Sequence, residues 1–162
     1  MLRVSKKNLT YFVGPEVEPV MEVSSGETVV FETVDCFSDK IRSPEKIISS
    51  YEQSLTFLPG WNPITGPVAV AGAKPGDCLS VEILAIKLPD TGVTAFIPNL
   101  GMLASDYQLT DDLAPEIKIC RIEEGVVYLP TNRGEIPIPA SPMIGTISVA
   151  PSQERIASFK FG

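Results

Sequence analysis

A rigid corner is predicted by the stretch GWNPITGPVAVAGAKPGDCLSVEI, residues 60–83, which combines two turns with two short strands. The Asn-Pro and Gly-Pro pairs force extended or turn geometry on Asn62 and Gly66. Trp61 can bury a large aromatic surface and so anchor the corner on the core. A corner of this kind can form the wall of a pocket.

The rest of the chain is dominated by a period of two. Apolar and β-branched residues alternate or run together in four segments: 27–35, 78–86, 117–122 and 145–150. The 12 Gly and 15 Pro residues interrupt these runs, as they do in sandwiches and barrels. We therefore predict a mostly β fold, a barrel or sandwich of short antiparallel strands, in one domain over residues 1–162.

One short helix is predicted in SPEKIISSYEQSL, over residues 44–55. Ser43 can cap it, Pro44 suits its first position, and apolar residues recur behind them at helical spacing. The end of the chain, ERIASFKFG, alternates like an edge strand without a partner. We expect a second polypeptide or a second copy to cover that edge and to bury Phe159 and Phe161.

Charge and cysteine content narrow the classes of function. The chain has 13 Lys and Arg against 20 Asp and Glu, a formal charge of −7, which repels nucleic acid and anionic membrane surfaces. Its first residues lack the apolar core of a secretion signal, and no apolar run is long enough to span a bilayer. With three cysteines, not all can pair within the chain. We expect a cytoplasmic protein with reduced thiols, bound neither to membrane nor to nucleic acid.

Three segments resemble the acetamidase/formamidase family of amide hydrolases, and they stand in the family's order. They are GETVVFETVDCFSDKI (26–41), NPITGPVAVAGAKPGDCLSVEI (62–83) and IPIPASPMIGTISVAP (136–151). The resemblance covers Thr10 to Pro151. It implies hydrolysis of short-chain amides, formamide or acetamide, to carboxylate and ammonia.

The family's histidine motifs, expected after this portion, are missing, because the chain contains no histidine. The chain is then a fragment, a subunit of a split enzyme, or a truncated homologue with another role. In the enzymatic cases it supplies part of an amidase site. It then needs a complementary C-terminal polypeptide or second subunit, and we expect a homo-oligomer. The alternative is a non-catalytic β-barrel that serves as a binding or scaffold module.

Asp35 is the first candidate catalytic residue. Phe31 and Asp35 share one face of a strand over residues 27–35, so a core-facing Phe31 would carry Asp35 inward at the strand end. The carboxylate could hold a divalent metal, act as a base toward water or orient a partner histidine; equally, it could cap the loop that follows. The family's recurring ETxD motif before a loop supports the functional role and leaves it on an equal footing with the cap.

Glu32 is the second catalytic candidate. It lies on the opposite, more often solvated face, and a twist or bulge would have to bring it to the site. Cys36 suggests a nucleophile, but no histidine of the chain can activate it, which favours a packed, inert thiol.

Asn62, Asn99 and Gly101 are candidates for substrate binding. Asn62 could donate its amide to a substrate carbonyl, although Asn before Pro is ordinary turn chemistry. Asn99 and Gly101 lie in IPNLGML, residues 97–103, where they permit close backbone approach to a ligand. A plain turn explains that loop as well.

Overall fold

The computed structural model describes residues 1–101 and 113–161, with the last two of these as backbone only. The chain forms two compact units, each built from separate stretches of sequence. The first unit comprises Met1–Ser38, Gly60–Ala85 and Ile144–Gly162, and the second comprises Asp39–Pro59 and Ile86–Met143. We describe each unit by itself.

The described residues are mostly β, with short strands and two helices of one turn each. In chain order the strands are β1 (Leu2–Val4), β2 (Leu9–Thr10), β3 (Phe12–Val13), β4 (Met21–Val23), β5 (Val29–Phe31), β6 (Ile64–Thr65), β7 (Val68–Val70), β8 (Thr91–Phe96), β9 (Glu116–Glu123), β10 (Val126–Thr131), β11 (Gly134–Pro139) and β12 (Ile156–Ala157). The helices are α1 (Tyr51–Ser54) and α2 (Ser158–Phe161). The predicted β class is confirmed.

The first unit holds four two-stranded sheets, β1–β5, β2–β6, β3–β12 and β4–β7. The β1–β5 and β4–β7 pairs are parallel, whereas the sequence predicts antiparallel pairing. Val4 and Val23 end β1 and β4 as buried residues, so both parallel pairs present a side chain to the core. The strand pairs described here do not close into a barrel.

The second unit contains one antiparallel sheet in the order β11–β10–β9–β8. Strand β9 matches the alternating segment predicted at 117–122, and it buries Ile117 and Cys120. The turn between β9 and β10 has positive φ at Glu124 and Gly125, as a tight hairpin matched to strand twist requires. Two-residue turns join β9 to β10 and β10 to β11, whereas residues 97–115 lie between β8 and β9 in the sequence. The β8–β9 pairing is therefore not set by a local turn.

The predicted helix starts too early. Helix α1 covers Tyr51–Ser54, and Ser50 caps it by accepting a hydrogen bond from the Gln53 amide at 3.1 Å. Ser43 instead accepts from the Glu45 amide at 3.3 Å, which closes a local turn. Ile48 is fully buried just before the helix, so its packing does not require the helical turn that the apolar spacing suggested.

The expected unpartnered strand at the chain end is also wrong. Strand β12 pairs with β3, and helix α2 follows at once. Segments 78–86 and 145–150 were predicted as strands, but the structure assigns them to no strand. No helix in the described part of the chain is long and apolar enough to cross a membrane.

Candidate functional site

The predicted corner meets the loop that carries Asp35. We call residues 35–38 and 60–62 together the corner; both segments belong to the first unit. The Asn62 amide donates to the Cys36 carbonyl at 3.1 Å. The rings of Phe37 and Trp61 meet edge to face, with 5.6 Å between centroids and an interplanar angle of 84°. The contact through Cys36 brings the segments that carry Asp35 and Asn62, two of the predicted site residues, together.

Ser158, which is distant from the corner in sequence and 1% exposed, forms hydrogen bonds with it. Its hydroxyl donates to the carbonyl oxygens of Asn62 at 2.7 Å and Trp61 at 3.3 Å. Its amide donates to the Tyr11 carbonyl at 2.9 Å. The Tyr11 hydroxyl in turn hydrogen-bonds the Ser38 hydroxyl at 2.8 Å. These bonds join residues far apart in sequence, so the corner depends on tertiary structure.

Gly60 allows the Tyr11 ring to pack closely against the corner. A Cβ atom at Gly60 would lie 2.7 Å from Cδ1 of the Tyr11 ring, which is closer than carbon atoms approach. Gly60 is therefore needed for close packing. No sequence motif points to Tyr11, Ser38 or Ser158, and their only local signal is a hydroxyl group next to an aromatic residue.

Asp35 is held by a turn and not by a strand. Strand β5 ends at Phe31, whose side chain is exposed, so the argument that Phe31 carries Asp35 inward is wrong. Instead, Oδ1 of Asp35 accepts from the Phe37 amide at 2.9 Å, and its carbonyl accepts from the Ser38 amide at 2.9 Å. This is the loop-capping arrangement that the sequence left open. It holds the half-buried Asp35 next to Cys36, whose carbonyl accepts from the Asn62 amide.

Glu32 forms an ion pair with Arg3. Arg3 Nη1 lies 2.8 Å from Oε1 of Glu32, and the Lys6 amide donates to Oε2 at 3.2 Å. The hydrogen bond from Arg3 is the largest cause, followed by that from Lys6, of a lowered Glu32 pKa. A carboxylate with a lowered pKa is a poor general base near neutral pH. The catalytic role predicted for Glu32 therefore gains no support from its contacts.

Asn62 adopts a left-handed conformation with φ of 51°, which Asn tolerates better than most residues. Its main-chain amide donates to Cys36, and its carbonyl accepts from Ser158. Within residues 1–101 and 113–161, its side-chain amide makes no hydrogen bond to protein. A half-buried amide in that state can donate to a carbonyl oxygen of a small ligand.

Asn99 and Gly101 lie in the second unit, in a turn that follows β8. Both have positive φ, 62° and 83°, and the Leu100 amide donates to the Ile97 carbonyl at 3.1 Å. This geometry is an ordinary exposed turn. Residues 102 and 103 of the predicted pocket loop lie outside the described residues.

The second unit also has an open cleft of about 230 Å³, and none of the predicted site residues lines it. Lys118 and Glu116, both in its lining, form an ion pair at 3.2 Å. Their charges are thus largely satisfied within the chain.

A divalent metal at Asp35 would need ligands that this part of the chain does not supply. Among the residues whose structure is described, no three His, Cys, Asp or Glu side chains cluster as a metal site requires. Asp35 by itself offers at most two carboxylate oxygens, and one already accepts from Phe37. Further ligands would have to come from outside the described residues.

The Cys36 thiol is poorly suited to nucleophilic attack. Desolvation and, next, the neighbouring carboxylate of Asp35 raise the pKa of Cys36 to about 11, even though the residue as a whole is exposed. Since the thiolate is the nucleophilic form, Cys36 is protonated at neutral pH. The prediction that Cys36 is a packed side chain is not confirmed, because the residue is exposed. The raised pKa agrees with the prediction of an unreactive thiol.

We expect Cys36 in the folded chain to react with iodoacetamide at pH 8 about 10- to 100-fold more slowly than in the urea-denatured chain, because a raised pKa lowers the thiolate fraction. Mass spectrometry of the Cys36 peptide over time measures the rate. The rate should rise as the pH approaches 11. Equal rates in the folded and denatured chains at pH 8 would contradict the pKa shift.

This chain is similar to known acetamidases in sequence and in structure. The acetamidase/formamidase family model matches residues 5–160. An acetamidase from Bacillus halodurans is 38% identical, with a TM-score of 0.79, and the match covers 96% of this chain and 48% of that one. For a predicted acetamidase/formamidase from Thermoanaerobacter tengcongensis the identity is 33%, the TM-score 0.81 and the coverage again 96% and 48%.

An acetamidase from Yersinia enterocolitica is 27% identical, with a TM-score of 0.72 and coverage of 98% and 49%. No curated protein matches the sequence of this chain. The chain therefore spans about half the length of the solved structures that it matches. The family model covers nearly all of the sequence, and the chain belongs to the acetamidase/formamidase family.

Proposed function

We propose that this chain supplies one part of the active site of an amide hydrolase that converts formamide or acetamide to carboxylate and ammonia. The observation that carries the proposal is the family match over residues 5–160, combined with coverage of only 48% of the Bacillus halodurans acetamidase. The remaining part of the site comes from polypeptide equivalent to the uncovered portion of that acetamidase, as a C-terminal half or a second subunit.

Amide hydrolysis requires three contributions: a base for the attacking water, stabilisation of the oxyanion and a proton for the departing amine. In our proposal the Asp35 carboxylate takes a proton from water as the oxygen attacks the carbonyl carbon. The Asn62 side-chain amide donates to the carbonyl oxygen as negative charge develops there. The protonated Asp35 then gives this proton to the nitrogen, which leaves with the electron pair of the broken C–N bond as ammonia. The carbonyl re-forms as the carboxylic acid, which ionises to carboxylate. Other electrophilic groups come from the complementary polypeptide.

We also propose where the protein is located and how it assembles. The described part of the chain contains three free cysteines, which suits a reducing compartment such as the cytoplasm. The substrate is a small amide, and we propose that the complete enzyme is an oligomer.

A non-catalytic binding or scaffold module is the second candidate. It is favoured by the total lack of histidine and by the capping hydrogen bond that already occupies Asp35. Such a module would bind a partner through its surface and leave amides unchanged, even when joined to the rest of an acetamidase.

A chimera tests the proposal. This chain replaces the equivalent portion of the Bacillus halodurans acetamidase, and ammonia release from acetamide and formamide is measured for the chimera, for this chain alone and for the intact acetamidase. We expect turnover by the chimera and none by the chain alone, because losing a single oxyanion donor already costs about 2.7–4 kcal/mol.

Two results would contradict the proposal. Full activity of the isolated chain would show that the site is complete without another polypeptide. A chimera that is folded by circular dichroism and elutes like the intact acetamidase, yet releases no ammonia from either amide, would favour the scaffold alternative.

A further inference from the structure

We propose that two segments of the first unit, residues 78–85 and 145–150, form a docking surface for β-strands of the complementary polypeptide. We call these two segments the docking segments. The inference rests on the proposed two-part enzyme, but it concerns binding and is tested without turnover.

The docking segments expose an unusual amount of apolar surface. Six of their apolar side chains are 51–72% exposed: Leu79, Val81, Ile83, Leu84, Ile147 and Val149. Single exposed apolar residues are common on protein surfaces and need no explanation. Here they alternate with small or polar residues over two short runs, as they do in strands that cover one face of a core.

The main chain of the docking segments also lacks partners. Neither segment belongs to a helix or strand, and no backbone hydrogen bond joins either segment to any residue that the structure describes. A run of free amide and carbonyl groups beside apolar side chains is a template for strand addition, since the added strand satisfies the main chain and covers the side chains together.

Both segments also lack the usual protection of an exposed edge. Natural proteins guard such edges with Lys, Pro or inward-pointing charges. Glu82 is the one charged residue in the two docking segments. The sequence therefore does nothing to prevent pairing, which is expected where a strand is normally covered.

The occupant is identified by length and charge. The solved relatives have chains about twice as long, of which this chain covers 48–49%, so a polypeptide of similar size is left to cover the segments. A second copy of this chain is less suitable, because each copy has a formal charge of −7 and the two would repel each other.

The test uses co-expression of this chain with the portion of the Bacillus halodurans acetamidase that it does not cover, with an affinity tag on that portion. Ile83→Lys and Ile147→Lys place a charge in each docking segment. Ile136→Lys is the matched control, because Ile136 is 50% exposed, against 51% for Ile83, and lies on β11 of the second unit. All three sites are exposed, so the chain should fold in each variant.

We expect the wild-type chain and Ile136→Lys to co-purify with the tagged portion, and the docking variants to be retained at least 10-fold less. Hydrogen exchange should show slow amides in residues 79–84 and 146–149 in the complex and fast ones in the chain alone. A complex that forms but hydrolyses no amide would leave the docking surface standing and refute the proposed function.

Three results would overturn the inference. The first is equal retention of the docking variants and the wild type. The second is no retention of the wild-type chain. The third is a wild-type homodimer in sedimentation velocity that Ile83→Lys dissociates, which would make a second copy the occupant.

Discussion

Replacing Asp35 with asparagine is expected to lower kcat/KM for acetamide by about 10²- to 10⁴-fold in the active chimera, the range that a positioned general base contributes. The substitution removes the charge and keeps the turn, because the Oδ1 atom of asparagine can still accept the bond that Phe37 donates to Asp35. A loss of activity would then report the carboxylate itself. The measurement is ammonia release at several acetamide concentrations, with stability followed by urea denaturation.

Asp77→Asn is the matched control for this prediction. Oδ2 of Asp77 accepts from the Lys74 amide at 2.8 Å, so Asp77 also closes an exposed turn of the first unit by a carboxylate–amide bond. We expect the Asp77 variant to keep its activity. Equal activity of the Asp35 variant and the wild type would remove Asp35 from the proposed mechanism and leave it as a loop cap.

A second readout separates charge from structure. The carboxylate of Asp35 contributes to the raised pKa of Cys36, so Asp35→Asn should lower that pKa and speed alkylation of Cys36. If activity falls while alkylation at Cys36 is unchanged, the loop has rearranged, and the loss cannot be assigned to a missing base.

Phe37→Ala is expected to destabilise the chain by about 3–5 kcal/mol, the usual cost of deleting a buried phenylalanine ring. Phe37 is 5% exposed and packs edge to face on Trp61. Its loss removes the ring contact between the two segments of the corner and leaves a cavity next to Trp61. Urea denaturation followed by Trp fluorescence measures the change, with an unchanged slope confirming that compactness is the same.

Phe31→Ala makes the same chemical change at an exposed position of the first unit, where Phe31 is 44% exposed. We expect a cost below about 1 kcal/mol there, because surface substitutions away from packed contacts are nearly neutral. Equal destabilisation by the two variants would show that the corner is not a packed core element.

Local sequence predicts some features of the corner and not others. The Asn-Pro and Gly-Pro pairs predict extended or turn geometry, and Asn62 takes the turn alternative, with a positive φ that the sequence did not specify. Placing Asp35 on a strand face went wrong because β5 ends at Phe31. A period of two indicates an extended run, but the end of a strand depends on where its partner ends, which local residues do not encode.

The sequence alone determined the family, the β class and the extended run of β9, because ordered motifs and alternating residues are local properties. Tertiary structure decided how the corner closes: Ser158 reaches the Asn62 carbonyl across 96 residues of sequence. It also decided that the docking segments stay unpaired. A strand pattern specifies which side chains seek burial, whereas hydrogen-bond partners are chosen by the polypeptide that folds beside them.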